Sequence, residues 1–138
     1  MKQITVLLLL AFFTFNSCKK NEDNGIQITT ENVQTTLKAG TWRITHYDSS
    51  GVDKLGIYSE YTFTFMDAGS VRATRGTNFY MGDWSVTIPV PEVGLLLSFM
   101  TSPVSPLSNG YKVLNLYADK LNLSYTGFQS GSMILEKN

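Results

Sequence analysis

The residues that could carry acid–base or metal chemistry are few and widely spaced. His46 is the only histidine, and Asp48 and Asp53 are the acidic side chains that lie near it in the sequence. Their spacing matches no metal-binding loop, and the only cysteine, Cys18, lies far from them. We therefore interpret His46 as a structural histidine on a strand and predict no metal site.

The sequence gives no stronger indication of nucleophilic catalysis, or of a pair of catalytic carboxylates, than it gives of a metal site. Ser130, in the segment 127–131, stands one position too late for a Gly-x-Ser-x-Gly nucleophile elbow. Glu60, Asp83 and Glu136 could supply the two carboxylates of a glycosidase, but nothing in their spacing favours this over solvated strand faces. The glycines fall at turns rather than in a phosphate-binding loop. We predict no catalytic residues, no cofactor and no enzymatic activity.

Cys18 needs an explanation, because a single thiol cannot form an internal disulfide. It follows Lys2 and an apolar run of twelve residues, 4–15. A membrane-spanning helix needs roughly 20 apolar residues, whereas the core of a signal peptide needs about 7–15. The N-terminus therefore predicts an export signal over residues 1–17.

The pair Ser17-Cys18 resembles the cleavage site of bacterial lipoprotein signal peptides, although Phe15 stands where that family usually has leucine. The resemblance implies that Cys18 becomes an acylated N-terminus, that this lipid anchor binds the chain to a membrane, and that the product is an outer membrane lipoprotein. The charged segment 19–23 resembles the surface-export signals of Bacteroidota lipoproteins. A plain linker on a periplasm-facing lipoprotein, or an incidental thiol beside an ordinary secretory site, are the alternatives.

The charge and composition of the remaining chain limit its domain organisation and its possible partners. We predict that residues 18–29 form the lipidated cysteine and a solvated tether, and that residues 30–138 form one domain. Removal of residues 1–17 leaves ten basic and eleven acidic side chains. A nearly neutral domain of this kind is not typical of nucleic-acid binding, which requires a basic face.

A short helix and a series of strands are predicted for the domain. Residues 28–39 suit a helix with Thr29 or Thr30 as its cap and Gly40 as its end. From Gly40 onward apolar residues alternate with polar ones, which is typical of strands with one buried face. In the first such run Trp42, Ile44 and His46 share a face, and in a later run Leu114 and Leu116 share one.

Seven or eight short strands with tight connections, such as the turns at 67–69 and 75–78, predict an antiparallel meander. Closure into a barrel removes the unpaired edges of such a sheet. The predicted fold class is all-β: a small antiparallel up-and-down barrel of about eight strands with a short N-terminal helix.

The motif Gly40-Thr41-Trp42 resembles the start of the first lipocalin strand, which often follows a helical turn. The hairpin at 61–71, the strand 82–86 and the closing strand 133–137 resemble the lipocalin-like domains of Bacteroidota lipoproteins. The resemblance implies a calycin-like barrel, with Trp42 filling its closed end and Arg43 or another cation packing across the ring.

Binding of a small hydrophobic or amphipathic ligand is the function that this resemblance and the aromatic content favour. The ligand-contacting residues would be Trp42, Tyr61, Phe63, Phe65 and Trp84. Alternatively, these side chains fill the barrel. The chain would then interact through its loops with a protein or glycan partner, or inhibit a protease.

Overall fold

A computed structural model describes residues 25–88, 92–127 and 129–138. The predicted signal peptide, Cys18 and residues 18–24 of the predicted tether lie outside this range. Among the described residues, no helix is both long enough and apolar enough to cross a membrane.

The predicted N-terminal helix is present as α1, Thr30–Lys38. The Thr29 hydroxyl caps it by accepting a 3.1 Å hydrogen bond from the backbone N–H of Asn32. Val33 and Leu37 share its buried face. A second helix, α2, Leu55–Tyr58, was not predicted, because a single turn is too short to show a helical period.

Nine strands follow α1 in the part of the chain that the structure describes. They are β1 Thr41–Ser49, β2 Val52–Asp53, β3 Thr62–Phe65, β4 Ser70–Arg75, β5 Asn78–Thr87, β6 Gly94–Phe99, β7 Asn109–Leu116, β8 Lys120–Tyr125 and β9 Gly131–Lys137.

The predicted barrel is confirmed. Strands β3 to β9 pair with their neighbours in chain order, all antiparallel, and β1 pairs with both β3 and β9, which closes an eight-stranded up-and-down barrel. The short strand β2 adds only to the end of β1, through the pairs Asp48–Asp53 and Ser49–Val52. Closure gives each of the eight main strands a paired neighbour on both sides, which is one way to avoid exposed sheet edges.

A β-bulge corrects the predicted face of His46. The pairing of β1 with β9 shifts register between Ile44 and His46, so the extra residue reverses the alternation. Trp42, Ile44 and Tyr47 are buried, whereas His46 is exposed. The prediction that His46 shares a face with Trp42 and Ile44 is therefore wrong.

The same irregularity occurs in β7. Its pairing with β8 shifts register between Val113 and Asn115. Val113 and Leu116 are buried, whereas Leu114 points outward and is exposed. Leu114 and Leu116 therefore do not share a face, contrary to the simple alternation.

The two ends of the barrel differ. At the end that we call the helix end, α1 packs across β1, β3 and β5, beside Trp42 and Lys137. At the opposite end, which we call the loop end, lie the β4–β5 turn at 75–78, the start of β9 and the segment 101–108. Gly25 lies near the helix end, since the N–H of the next residue, Ile26, donates a 2.7 Å hydrogen bond to the carbonyl of Leu116.

Candidate functional site

The five residues predicted to contact a ligand lie in the barrel core. All five are buried, and Trp84, the most exposed of them, retains 7% of its surface. Phe65 and Trp84 pack edge to face at 5.3 Å between ring centroids, and Tyr61 and Phe63 lie 6.4 Å apart. These side chains contact one another inside the barrel, where Trp42 is fully buried at the helix end.

A cluster of buried tyrosines fills the other half of the interior. Tyr47 packs edge to face against Tyr58 at 5.4 Å and stacks on Tyr125 at 6.3 Å. Tyr125 in turn packs edge to face against Tyr111 at 5.4 Å. The offset and T-shaped arrangements are those that aromatic rings prefer, so the cluster adds packing energy as well as volume.

The segment 101–108 covers this cluster at the loop end. Its residues Val104 and Leu107 are fully buried. Its backbone carbonyls accept hydrogen bonds from tyrosine hydroxyls: Leu107 from Tyr111 at 2.8 Å and Pro106 from Tyr47 at 3.4 Å. The segment therefore closes the barrel through both apolar contacts and hydrogen bonds.

Burial also keeps these phenols neutral. It raises the pKa of Tyr47 and of Tyr111 well above the ordinary value near 10, and it raises the pKa of Tyr58 as well. A phenol that stays protonated can donate to a backbone carbonyl but cannot act as a base near neutral pH. The tyrosine cluster is therefore suited to packing rather than to proton transfer.

An open cleft lies on the rim of the loop end, and we call it the mouth cleft. Its volume is about 580 Å³. Its walls come from the start of β3, the β4–β5 turn and the segment 101–108, and they consist of Glu60, Tyr61, Arg75, Gly76, Thr77, Asn78, Tyr80 and Pro103. The lining combines two aromatic rings with several groups that can form hydrogen bonds.

Arg75 contacts two other residues that line the mouth cleft. Its guanidinium forms an ion pair with the carboxylate of Glu60 and lies 5.8 Å from the centre of the Tyr61 ring. The pairing of Thr62 with Thr74 across β3 and β4 brings these residues together. Both charged side chains remain more than half exposed, so they retain free donors and acceptors toward solvent.

His46 has polar partners that the sequence did not reveal. Its Nε2 atom lies 3.0 Å from Oγ of Ser132 and 3.2 Å from Oδ1 of Asp48. Ser132 also donates its hydroxyl and its backbone N–H to Asp48, which lowers the pKa of that carboxyl group. Ser132 lies on β9, 86 residues from His46, so only the pairing of β1 with β9 places it there.

This cluster is not arranged as a catalytic triad. In a triad the carboxylate binds one imidazole nitrogen and the serine binds the other. Here Asp48 and Ser132 both contact Nε2 of His46, and the serine hydroxyl donates to the carboxylate rather than to the imidazole. Within the described residues, no group of three histidine, cysteine, aspartate or glutamate side chains could hold a metal ion.

Exposed apolar side chains lie on the outer surface of the described residues. A groove of about 470 Å³, which we call the wall groove, runs beside the exposed Leu96 and Leu114 and is crossed by the ion pair of Lys112 with Glu92. Away from the groove, the apolar side chains Phe79, Met81 and Met100 are also exposed, and Met100 retains 93% of its surface.

Sequence reasoning identified the β4–β5 turn but assigned no chemistry to it. Arg75, Thr77 and Asn78 were missed as site residues. The available signal was a turn containing a cation, a hydroxyl and an amide, followed directly by aromatic residues. Glu60 was considered only as a carboxylate that could face in any direction.

Comparison with known proteins assigns neither a family nor a function to this chain. No protein-family profile, curated protein or solved structure matches this chain.

Proposed function

We propose that this chain is a lipid-anchored protein of the bacterial cell envelope that binds its partner at the mouth cleft, at the loop end of a filled barrel. The observation that carries the proposal is the contrast between the two candidate sites. The five predicted ligand residues are buried in the core, and of these only Tyr61 also borders the mouth cleft, whereas the cleft itself is open and its two charged side chains are more than half exposed.

The membership that we propose is the lipocalin-like group of Bacteroidota lipoproteins. The eight-stranded up-and-down barrel supports it, as does the burial of Trp42 directly after a short helix. Arg43 or another cation was expected to pack across the Trp42 ring. That cation is Lys137, whose ammonium lies 5.3 Å from the ring centre.

The position of Gly25 supports the proposed orientation. Its neighbour Ile26 is bonded to Leu116 at the helix end, and residues 19–25 separate Ile26 from Cys18. Seven residues span at most about 25 Å, so an anchor at Cys18 would hold the helix end toward the membrane. The mouth cleft would then face away from the lipid surface, toward the periplasm or the cell exterior.

Lipidation is tested with the full chain expressed in a bacterium that processes lipoproteins. Metabolic labelling with an alkyne fatty acid should mark the wild-type chain and leave Cys18→Ser unlabelled. Membrane fractionation should then recover the wild type with membranes and Cys18→Ser in the soluble fraction. Equal labelling of both chains would contradict an anchor at Cys18.

The binding site is tested by photo-crosslinking in the same cells. A diazirine amino acid is placed at Thr77, on the rim of the mouth cleft, and in a second chain at Asp119, in the β7–β8 turn at the helix end. Both positions are exposed, so they differ mainly in which end of the barrel they probe. We expect adducts from Thr77 in clear excess, and equal or absent adducts would contradict the proposal.

The wall groove supports a second candidate, the small hydrophobic or amphipathic ligand. Leu96 and Leu114 are exposed on its walls, and its volume lies in the range of about 300–1,000 Å³ typical of ligand sites. The test is fluorescence of N-phenylnaphthylamine with the wild type, Leu114→Glu and the control Met81→Glu. A signal lost only in Leu114→Glu would favour this candidate, and no signal would remove it.

A further inference from the structure

We propose that the mouth cleft recognises an uncharged saccharide, through the Arg75–Glu60 pair and the half-buried ring of Tyr80 beside it. This inference rests on the proposed function, since it assigns a ligand class to the site proposed there. Charge, hydrogen-bonding capacity, aromatic surface and shape each favour this class.

The charges of the mouth cleft compensate each other. Glu60 and Arg75 are the charged residues in its lining, and they form an ion pair. A ligand anion attracted to Arg75 would be repelled by Glu60, and a ligand cation attracted to Glu60 would be repelled by Arg75. A neutral ligand encounters neither repulsion.

The same pair offers hydrogen bonds of both kinds. A guanidinium presents five N–H donors in a fixed plane, and a carboxylate presents only acceptors. Thr77 and Asn78, in the adjoining turn, can each donate and accept. Neighbouring sugar hydroxyls are themselves both donors and acceptors, so they can bridge Arg75 and Glu60, whose charges strengthen these hydrogen bonds.

The aromatic side of the cleft is held in place before any ligand binds. Tyr80 is half-buried and lies 6.2 Å from Tyr61 between ring centroids. Tyr61 is fixed in turn by Phe63 and Tyr58, at 6.4 Å and 6.3 Å. Tyr61 is itself buried, so the ring of Tyr80, held rigid against it, gives the surface for the C–H face of a sugar at little cost in conformational entropy.

Shape favours a saccharide over a protein surface. A volume of about 580 Å³ lies in the range of small-molecule sites. A typical protein interface instead buries about 800 Å² on each partner. The exposed apolar side chains of Phe79, Met81 and Met100 do not line the cleft.

The experiment is a printed array of neutral and acidic glycans, probed with the full chain in a detergent that has no sugar headgroup. Arg75→Leu removes the guanidinium from the cleft. Arg72→Leu is the matched control, because Arg72 lies on the same strand but packs over Phe79 on the outer wall. Thr77→Trp, at an exposed turn position, blocks the cleft without altering the barrel.

We expect the wild type to bind at least one neutral glycan. Loss of a charged hydrogen-bonding partner should weaken that binding roughly tenfold or more in Arg75→Leu, and Thr77→Trp should weaken it as well. Arg72→Leu should bind as the wild type does.

Three results would overturn the saccharide assignment: no neutral glycan bound by the wild type, binding of acidic glycans alone, or an equal loss in Arg72→Leu. The Thr77 crosslinks then separate this failure from that of the proposed function. Persistent crosslinks would leave the mouth cleft as a site for a protein partner. Their absence would remove the proposed function as well.

Discussion

The indole nitrogen of Trp42 donates a 2.9 Å hydrogen bond to the backbone carbonyl of Leu37, in the last turn of α1. The last carbonyls of a helix lack partners within the helix. Trp42 supplies one of those partners from the start of β1, while its ring is fully buried. A single side chain therefore fixes α1 across the helix end and fills the barrel beneath it.

Trp42→Phe should destabilise the domain by about 3 kcal/mol, because it leaves the Leu37 carbonyl buried without a partner and opens a cavity. The matched variant is Trp84→Phe, whose indole donates a 3.0 Å hydrogen bond to Met66 at a less buried position. We expect a smaller loss there. Urea unfolding followed by circular dichroism measures both, and equal losses would contradict the special position of Trp42.

The buried tyrosines should make the domain sensitive to alkali. Burial raises the pKa of Tyr47, Tyr58 and Tyr111 in the folded state, whereas unfolded tyrosines titrate near 10. The stability that these tyrosines contribute should therefore be constant below about pH 10 and fall above it, by up to about 1.4 kcal/mol per tyrosine and per pH unit. Urea unfolding between pH 8 and 11 checks this, and a flat profile would contradict burial of the cluster.

Asp48 should make the stability of the domain depend on pH in the acidic range. The Ser132 hydroxyl lowers the pKa of Asp48 in the folded state, so its contribution is present above about pH 4 and is lost as the pH falls below that value. Carboxyl ¹³C shifts should show a higher Asp48 pKa in Ser132→Ala than in the wild type. Ser124→Ala, at the position paired with Ser132 on β8, is the control and should leave that pKa unchanged.

Gly131 should tolerate no side chain. A Cβ atom there would collide with the carbonyl oxygen of Asp48 and approach the Tyr125 hydroxyl to 2.6 Å. Gly131→Ala should therefore cost about 2 kcal/mol through overpacking. At Gly110, in β7, a Cβ atom would meet nothing within 4 Å, so Gly110→Ala should change stability little. Thermal unfolding of the two variants gives the comparison.

The fold could be predicted because its strands carry one buried face and its turns carry distinct residues. The turn at 75–78 and the buried series Tyr61, Phe63 and Phe65 appear in the sequence as they do in the barrel. Bulges were not predictable in this way. An extra residue such as the one beside His46 leaves the local pattern unchanged, and only the pairing partner on β9 reveals it.

The candidate site was harder to predict for a related reason. Glu60 and Arg75 lie 15 residues apart, and Pro103 comes from a third segment. Their proximity depends on the register of β3 against β4 and on the position of the segment 101–108 over the tyrosines. Alternation predicts which residues are buried, but it does not predict which exposed residues of different loops meet.

The pairing of β1 with β9 also sets the order in which the domain can fold. Trp42 faces Lys137, and Ser49 faces Gly131, so the first strand of the barrel has its partner in the last seven residues of the fold. Ribosomes release the N-terminus first, and contacts so distant in sequence form slowly. Until residues 131–137 emerge, β1 and β8 both expose unpaired edges, which is when the chain is most open to chaperones and to aggregation.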